Sequence, residues 1–335
     1  MLDGHTLPLL KRGRNLLAFS GGVDSSALFF LLLRADIPFD IAHVNYHTRP
    51  QSDTEAEHAR TLATQYGKRC FVYDAAPIEK NFEAEARRVR YAFFDALAAE
   101  HRYDTLLTAH QLDDRLEWLL MQLCKGAGVP ELLGIEAVSQ RHRYTLLRPL
   151  LRCSKSELRC WLEEEKLPFF EDESNDDPRF RRNRIRHEYA SGLLESCRRG
   201  IEKSFDYLSR DARHLQPDIT VWLDDAVLLT AATEDRLALM RLADGWLKRK
   251  GYLLRRGERE KILQEDELII GRRYALSITP VCVLLTPRLE AAMPKTFKEQ
   301  CRRLGIGAKV RPYLYADPAS FEAVKALVTP LQAAK

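Results

Sequence analysis

The 335-residue chain contains no uninterrupted apolar run longer than Ala27 to Leu33. About 18 to 20 such residues would be needed to span a bilayer, so no membrane segment is expected. The first fifteen residues are broken by Pro8 and end in Lys11, Arg12 and Arg14, without the apolar centre and small-residue cleavage site of a secretory signal. That reading places the chain in the cytoplasm. The seven cysteines (70, 124, 153, 160, 197, 282, 301) form an odd, scattered set with no Cys-x-x-Cys, which argues against a disulfide framework and a zinc knuckle and is read as a set of buried thiols. Two phosphate-binding fingerprints are missing as well. No Gly-x-x-x-x-Gly-Lys-Ser/Thr occurs, and no Gly-x-Gly-x-x-Gly follows a strand. Repeats and low-complexity segments are also absent.

What is present starts at Asn15. Asn15-Leu16-Leu17-Ala18-Phe19 reads as a buried strand, Ser20-Gly21-Gly22-Val23-Asp24-Ser25 as a tight turn, and about Ser25 to Arg34 as an apolar helix. Glycines at 21 and 22 let the backbone fold closely and point its N–H groups at an anion, while the helix N-terminus adds partial positive charge. Ser20 and Ser25 supply hydroxyl donors. Asp24 is anomalous, because a carboxylate repels phosphate unless it caps the helix or holds a bridging metal. Both uses are open, and an ordinary strand-turn-helix corner is the structural alternative.

Further along, Phe39 to Val44, Cys70 to Tyr73, Thr105 to Thr108 and Tyr144 to Leu147 read as strands. They alternate with helices over about 53–66, 82–100, 113–123 and 155–165, a pattern that predicts a doubly wound parallel α/β sheet. Ligands of such sheets bind beyond the carboxyl ends of the strands, where the Ser20 turn, His43 and His110 all fall. From about Arg184 a helical stretch runs to Leu215 and Pro217. The expected organisation is a catalytic domain over 1–190, a helical linker over 191–215 and a small basic α/β domain over 216–335. In that last part, helices are expected over 233–250 and 255–264 and a β-hairpin or meander over 267–285, turning at Arg272 and Arg273.

Charge follows this division. Residues 1–214 carry 32 basic and 33 acidic side chains, and residues 215–335 carry 20 and 15. The cationic excess suits a polyanion, with a solvated helix face as the alternative.

Two more constellations carry chemistry. In Thr108-Ala109-His110-Gln111-Leu112-Asp113-Asp114-Arg115-Leu116-Glu117, a histidine at a strand end precedes a helix on which Asp113 and Glu117 stand four apart and Asp114 and Glu117 three apart. Three carboxylates there can hold Mg²⁺ or pair with a substrate ammonium, or simply complement the helix dipole. In Asp172-Glu173-Ser174-Asn175 followed by Arg179-Phe180-Arg181-Arg182-Asn183-Arg184-Ile185-Arg186, five arginines in eight residues are expected to face solvent or phosphate rather than a core. An acidic turn paired to its own arginines is the alternative. Arg87 and Arg90 share a helix face and Tyr91 follows, which suits RNA phosphate and base stacking but also a salt-bridge ladder with Glu83. His43 and His110 are each open to a catalytic or a core role.

SGGVDSS resembles the pyrophosphate loop of ATP pyrophosphatases. The later motifs, in order, resemble those of one family among them, the tRNA(Ile)-lysidine synthetases: His43-Val44-Asn45 with Arg49, Glu83 to Tyr91, LTAHQLDDRLE, Arg148-Pro149-Leu150-Leu151, and DESN with RRNRIR. The resemblance covers residues 15 to about 190 and is weak from 216 onward. Three positions depart from the family pattern: Tyr46 stands where a second histidine is usual, Trp118 where a threonine is, and Lys125-Gly126-Ala127-Gly128 where an Arg-Gly-Ser-Gly loop is.

The resemblance implies an adenine-nucleotide α-hydrolase-like fold. It also implies a ligase using ATP and Mg²⁺ to attach L-lysine to the wobble cytidine of an isoleucine tRNA with a CAU anticodon. It assigns ATP to Ser20, Gly21, Gly22, Val23, Asp24 and Ser25, metal to Asp24 and Asp113, and catalysis to Asp24, His110, Asp113, Asp114 and Glu117. RNA contacts would fall to His43, Arg87, Arg90, Tyr91, Asn175, Arg182, Asn183 and Arg186, with Arg255, Arg256 and Arg259 on the basic C-terminal part. Dimerisation is allowed and not specified. Competing readings are another ATP pyrophosphatase, such as an RNA thiolase or an ammonia-using amide ligase, and a non-catalytic tRNA-binding protein with a nucleotide site. The missing paired cysteines weigh against the thiolase.

Overall fold

A computed structural model describes all residues except 49–50, 142, 172–180, 216–218, 220, 224–225 and 334–335. The chain divides into two compact units, Met1–Arg213 and His214–Lys335.

The first unit is built on a six-stranded sheet in the order β3-β2-β1-β4-β6-β5, with β1 at Asn15–Ala18, β2 at Phe39–Asn45, β3 at Cys70–Asp74, β4 at Thr105–Leu107, β5 at Val138–Gln140 and β6 at Thr145–Leu147. All pairings are parallel except β5 with β6. Successive strand residues point to opposite faces, and both faces are apolar here. Leu17, Ile41, Leu107 and Leu147 face helices α2 (Val23–Arg34), α3 (Gln51–Gln65) and α7 (Lys155–Glu164). Leu16, Ala42, Leu106 and Leu146 face α4 (Phe82–His101) through Phe94, Leu97 and Ala98. The order of strands reverses at β1, between β2 and β4, so a crevice opens beyond the carboxyl ends of β1 and β4.

The sequence reading missed α1 (Leu7–Arg12), in which Pro8 is tolerated because it sits in the first turn, where its missing N–H would be unbonded anyway. The short edge strand β5 escaped it too, being only three residues long. Helices α5 (Leu112–Leu123) and α6 (Val129–Leu133) pack on the C-terminal helical run around Leu116, Leu133, Leu194 and Phe205. That run is not one uniform helix. It comprises α8 (Arg181–Ile185), a π-helical turn (Arg186–Ala190) and α9 (Ser191–His214), which kinks at Cys197.

The second unit holds a five-stranded antiparallel sheet, β7-β8-β11-β10-β9, formed by Val221–Leu223, Leu228–Ala231, Glu267–Ile270, Tyr274–Ile278 and Cys282–Pro287 as β7 to β11. Helices α10 (Arg236–Arg249) and α11 (Arg256–Gln264) cover one face, where Trp246 is fully buried, and α12 (Lys295–Arg303), α13 (Arg311–Ala316) and α14 (Pro318–Ala333) cover the other. The meander over 267–285 was expected; β7, β8 and the last three helices were not.

Only Cys153, Cys282 and Cys301 are buried, whereas Cys124, Cys160 and Cys197 are exposed, correcting the expectation of a buried set. Cys160 and Cys197 sit at solvent-facing helical positions and Cys124 caps the end of α5, placements that spacing along the chain does not reveal. Among the described residues no helix is long and apolar enough to cross a membrane.

Candidate active site

The turn after β1 has the geometry its glycines require. Gly21 takes a φ of +83°, and a Cβ there would meet the Phe170 ring at 3.2 Å. Phe170 donates its N–H to the Gly21 carbonyl at 2.9 Å, so the loop is sealed from one side by the segment that follows α7. Gly22 caps α2 without a side-chain acceptor, leaving the helix N-terminus open. Ser20 and Ser25 stand with hydroxyls 3.1 Å apart, and Ser25 Oγ donates to the Gly22 carbonyl at 3.1 Å.

Beside this loop lies a cavity of about 330 Å³ lined on the loop side by Ser20, Asp24 and Ser25, and opposite by Thr108, His110, Asp114 and Arg182. Its α4 wall includes Glu83, Arg87, Arg90, Tyr91 and Phe94. Asp24, Arg87, Arg90, Tyr91, His110, Asp114 and Arg182, seven of the candidate site residues from the sequence, therefore share one cavity with the two loop serines. Arg87 stacks on Tyr91 with its guanidinium carbon 4.9 Å from the ring centroid, rather than joining a ladder with Glu83.

Charge in the cavity is crowded. Burial, then repulsion from Asp114 and Asp113, pushes the Asp24 carboxyl up to about 7, and its buried Oδ1 has no hydrogen-bond partner among the described residues. Burial also raises Asp113, whose Oδ2 accepts the Lys155 N–H at 3.0 Å and so anchors the start of α7. His110, bonded through Nδ1 to Thr108 Oγ1 at 2.9 Å, is pushed down to about 4 by burial and is an uncharged imidazole at neutral pH. Buried carboxylates crowded in this way offer the hard oxygen donors that a divalent cation such as Mg²⁺ prefers, although among the described residues no group of three or more such ligands converges and Asp113 does not line the cavity.

Several residues from the sequence reading do other work. Glu117 is fully buried and accepts from Arg182 Nε and Arg186 Nε, each at 2.6 Å. Arg182 also donates to Asp114. The arginine cluster was expected to face solvent or phosphate throughout; instead Arg181 and Arg184 are exposed while Arg182 and Arg186 turn inward, because Asp114 and Glu117 on α5 supply carboxylate partners. Asn183 is buried between them. His43 is buried in β2 and donates Nδ1–H to the Phe19 carbonyl at 3.0 Å, behind the loop rather than in the cavity. Asn175 and Arg49 lie outside the described residues.

Among the departures, Tyr46 lines the cavity and donates its hydroxyl to the Ala86 carbonyl at 2.8 Å. Trp118 is half-exposed against Gly134 and donates to the Glu131 carbonyl at 3.0 Å, and neither it nor the Lys125–Gly128 loop lines the cavity. Phe170 is the residue sequence reasoning missed. Its one signal was a Phe-Phe pair directly before the acidic run.

The description of the PP-loop domain family matches residues 5–193. The chain is 40% identical over 316 residues to a tRNA(Ile)-lysidine synthase of Helicobacter pylori, covering 93% of this chain and 92% of that protein. It is 39% identical over 315 residues to one of Campylobacter jejuni, covering 94% and 96%. The chain belongs to the tRNA(Ile)-lysidine synthases. Beyond the family, the fold is similar to that of a U34-tRNA thiolase from Methanococcus maripaludis, with a TM-score of 0.52 at 16% identity over 64% of this chain and 76% of that one. As a tRNA(Ile)-lysidine synthase with a PP-loop domain, the chain is an ATP-using enzyme of the ligase type.

Proposed function

We propose that this enzyme joins L-lysine to C2 of the wobble cytidine of an isoleucine tRNA with a CAU anticodon, in the cytoplasm. In the first step the cytidine C2 oxygen attacks the α-phosphate of ATP, pyrophosphate leaves, and an adenylated cytidine results. In the second, the lysine ε-amine attacks C2, and AMP departs with that oxygen.

The observation that carries this reading is the one cavity in which the glycine loop, with Ser20, Asp24 and Ser25, faces His110 and Asp114 and is walled by Arg87, Arg90 and Tyr91. N–H groups of the loop and the start of α2 stabilise charge developing on the leaving pyrophosphate. Mg²⁺ held by Asp24 and Asp113 would neutralise phosphate charge there. Asp114 gives a lysine ammonium a carboxylate partner, and uncharged His110 adds a hydrogen-bonding group without adding positive charge. Arg87 and Tyr91 suit a phosphate and a base respectively. Glu117 acts through Arg182, which it holds against Asp114.

The full chain with ATP, labelled lysine and bulk tRNA is expected to place label in tRNA. ATP hydrolysis with unlabelled tRNA would overturn the assignment. Asp24→Asn is expected to lower labelling at least 100-fold while the melting temperature stays near that of the wild type; unchanged labelling would remove Asp24 from the mechanism.

A further inference from the structure

The second unit contains a cavity of its own, about 480 Å³, between α10 and the β9–β10 turn. Lys250, Arg272, Arg273 and Arg288 line it, with Tyr274 and Trp246 as its aromatic floor. Lys250 Nζ lies 5.5 Å above the Trp246 ring centroid. Arg288 pairs with Glu290, an exposed acid. Among the described residues no carboxylate stands within ion-pair distance of Lys250, Arg272 or Arg273.

Two of the cations on the adjoining α11 already have carboxylate partners. Arg256 pairs with Glu260 at 2.9 Å, and Arg259 pairs with the buried Asp244 at 3.2 Å. The charge expected of this helix is therefore partly spent inside the unit, while Lys250, Arg272 and Arg273 stand together on the cavity.

The turn bearing these arginines is fixed before any ligand arrives. Gly271 and Arg272 both have positive φ, +54° and +59°, and Arg273 donates its N–H to the Ile270 carbonyl at 3.0 Å, which closes a tight turn between β9 and β10. Glu258 accepts the Gly271 N–H at 3.0 Å and the Tyr252 hydroxyl at 2.6 Å, pinning the turn to α11. A Cβ on Gly271 would collide with that hydroxyl at 2.2 Å. A cationic site held rigid in this way binds without the entropic cost of ordering its own backbone.

We propose that this cavity, not the exposed face of α11, is where the second unit holds the phosphate backbone of the tRNA body, with Lys250, Arg272 and Arg273 as the phosphate contacts. This rests on the tRNA reading above and names the surface that serves it.

The test measures binding of the full chain to bulk tRNA between about 50 and 200 mM salt, since each phosphate contact contributes about 0.9 to the slope of log K against log salt. Lys250→Gln/Arg272→Asn/Arg273→Gln is expected to flatten that slope by about 2 to 3 and to weaken binding about 10-fold or more, with melting temperature and ATP protection unchanged. Asn tolerates the left-handed position at 272, so the turn is retained. Arg255→Gln/Arg256→Gln is expected to keep the wild-type slope. A wild-type slope in the cavity variant, or a flattened one only in the α11 variant, overturns the proposal. Lysine labelling separates the two readings: wild-type labelling with an unaltered cavity slope sinks the cavity alone, and a flattened cavity slope without wild-type labelling sinks the reaction alone.

Discussion

Glu117 shows how a residue chosen for its chemistry can serve by position. Its two oxygens are taken by Arg182 and Arg186, and no part of it reaches the cavity. Glu117→Ala would take one carboxylate partner from each of two half-buried guanidiniums. The expected loss is about 3 kcal/mol in urea unfolding, at the low end for breaking a buried pair because both arginines keep some contact with water. Glu117→Gln, which keeps a hydrogen-bond acceptor, is expected to lose less stability and to raise the KM for lysine through a displaced Arg182. Equal stability losses in the two variants would show that the charge rather than the acceptor matters. A second carboxylate gives the pH dependence. Asp40 accepts from the Tyr103 hydroxyl at 2.6 Å and from Arg69 at 2.9 Å, and these partners hold its carboxyl below the ordinary range despite its partial burial. Its stabilising share is therefore present at neutral pH and lost as pH falls below the usual carboxylate range through the lower folded value. Urea midpoints of the wild type and Asp40→Asn should differ at pH 7 and converge in acid; a constant gap would contradict this.

At the scale of elements, the sheet was legible because both faces of its central strands are buried, so β1, β2 and β4 read as apolar runs with no alternation to confuse them. The phosphate loop was legible because Gly21 occupies a backbone conformation that other residues adopt only at a cost. Gly21→Ala is expected to cost about 1–3 kcal/mol in strain and to abolish protection by ATP in thermal melts; retained protection would mean the loop tolerates a Cβ against Phe170. Inward folding of Arg182 and Arg186 was not legible, since it depends on α5 lying across a helix some 65 residues distant in the chain. Nor were β7, β8 and the last three helices, whose apolar positions are interrupted and whose partners lie on a sheet no local pattern announces. Arg259 illustrates the same limit: the basic charge around it suggested an RNA contact, and only the fold reveals its pairing with Asp244.

At the scale of the molecule, two units with separate cores are expected to give two calorimetric transitions rather than one. A non-hydrolysable ATP analogue at about 100 times its Kd should stabilise only the transition of the first unit, by about 2.7 kcal/mol. A single transition that moves as a whole would show that the units unfold together. The cysteines make this difference chemically countable. Cys124, Cys160 and Cys197 are open to an alkylating reagent in the folded protein, while burial pushes Cys153, Cys282 and Cys301 up to about 11 and shields them. Cys153 belongs to the first unit and Cys282 and Cys301 to the second, so mass spectrometry after a brief pulse of reagent would read which unit had opened. The scattered thiols thus amount to a built-in footprinting ladder, with three rungs marked at the outset and the others exposed unit by unit.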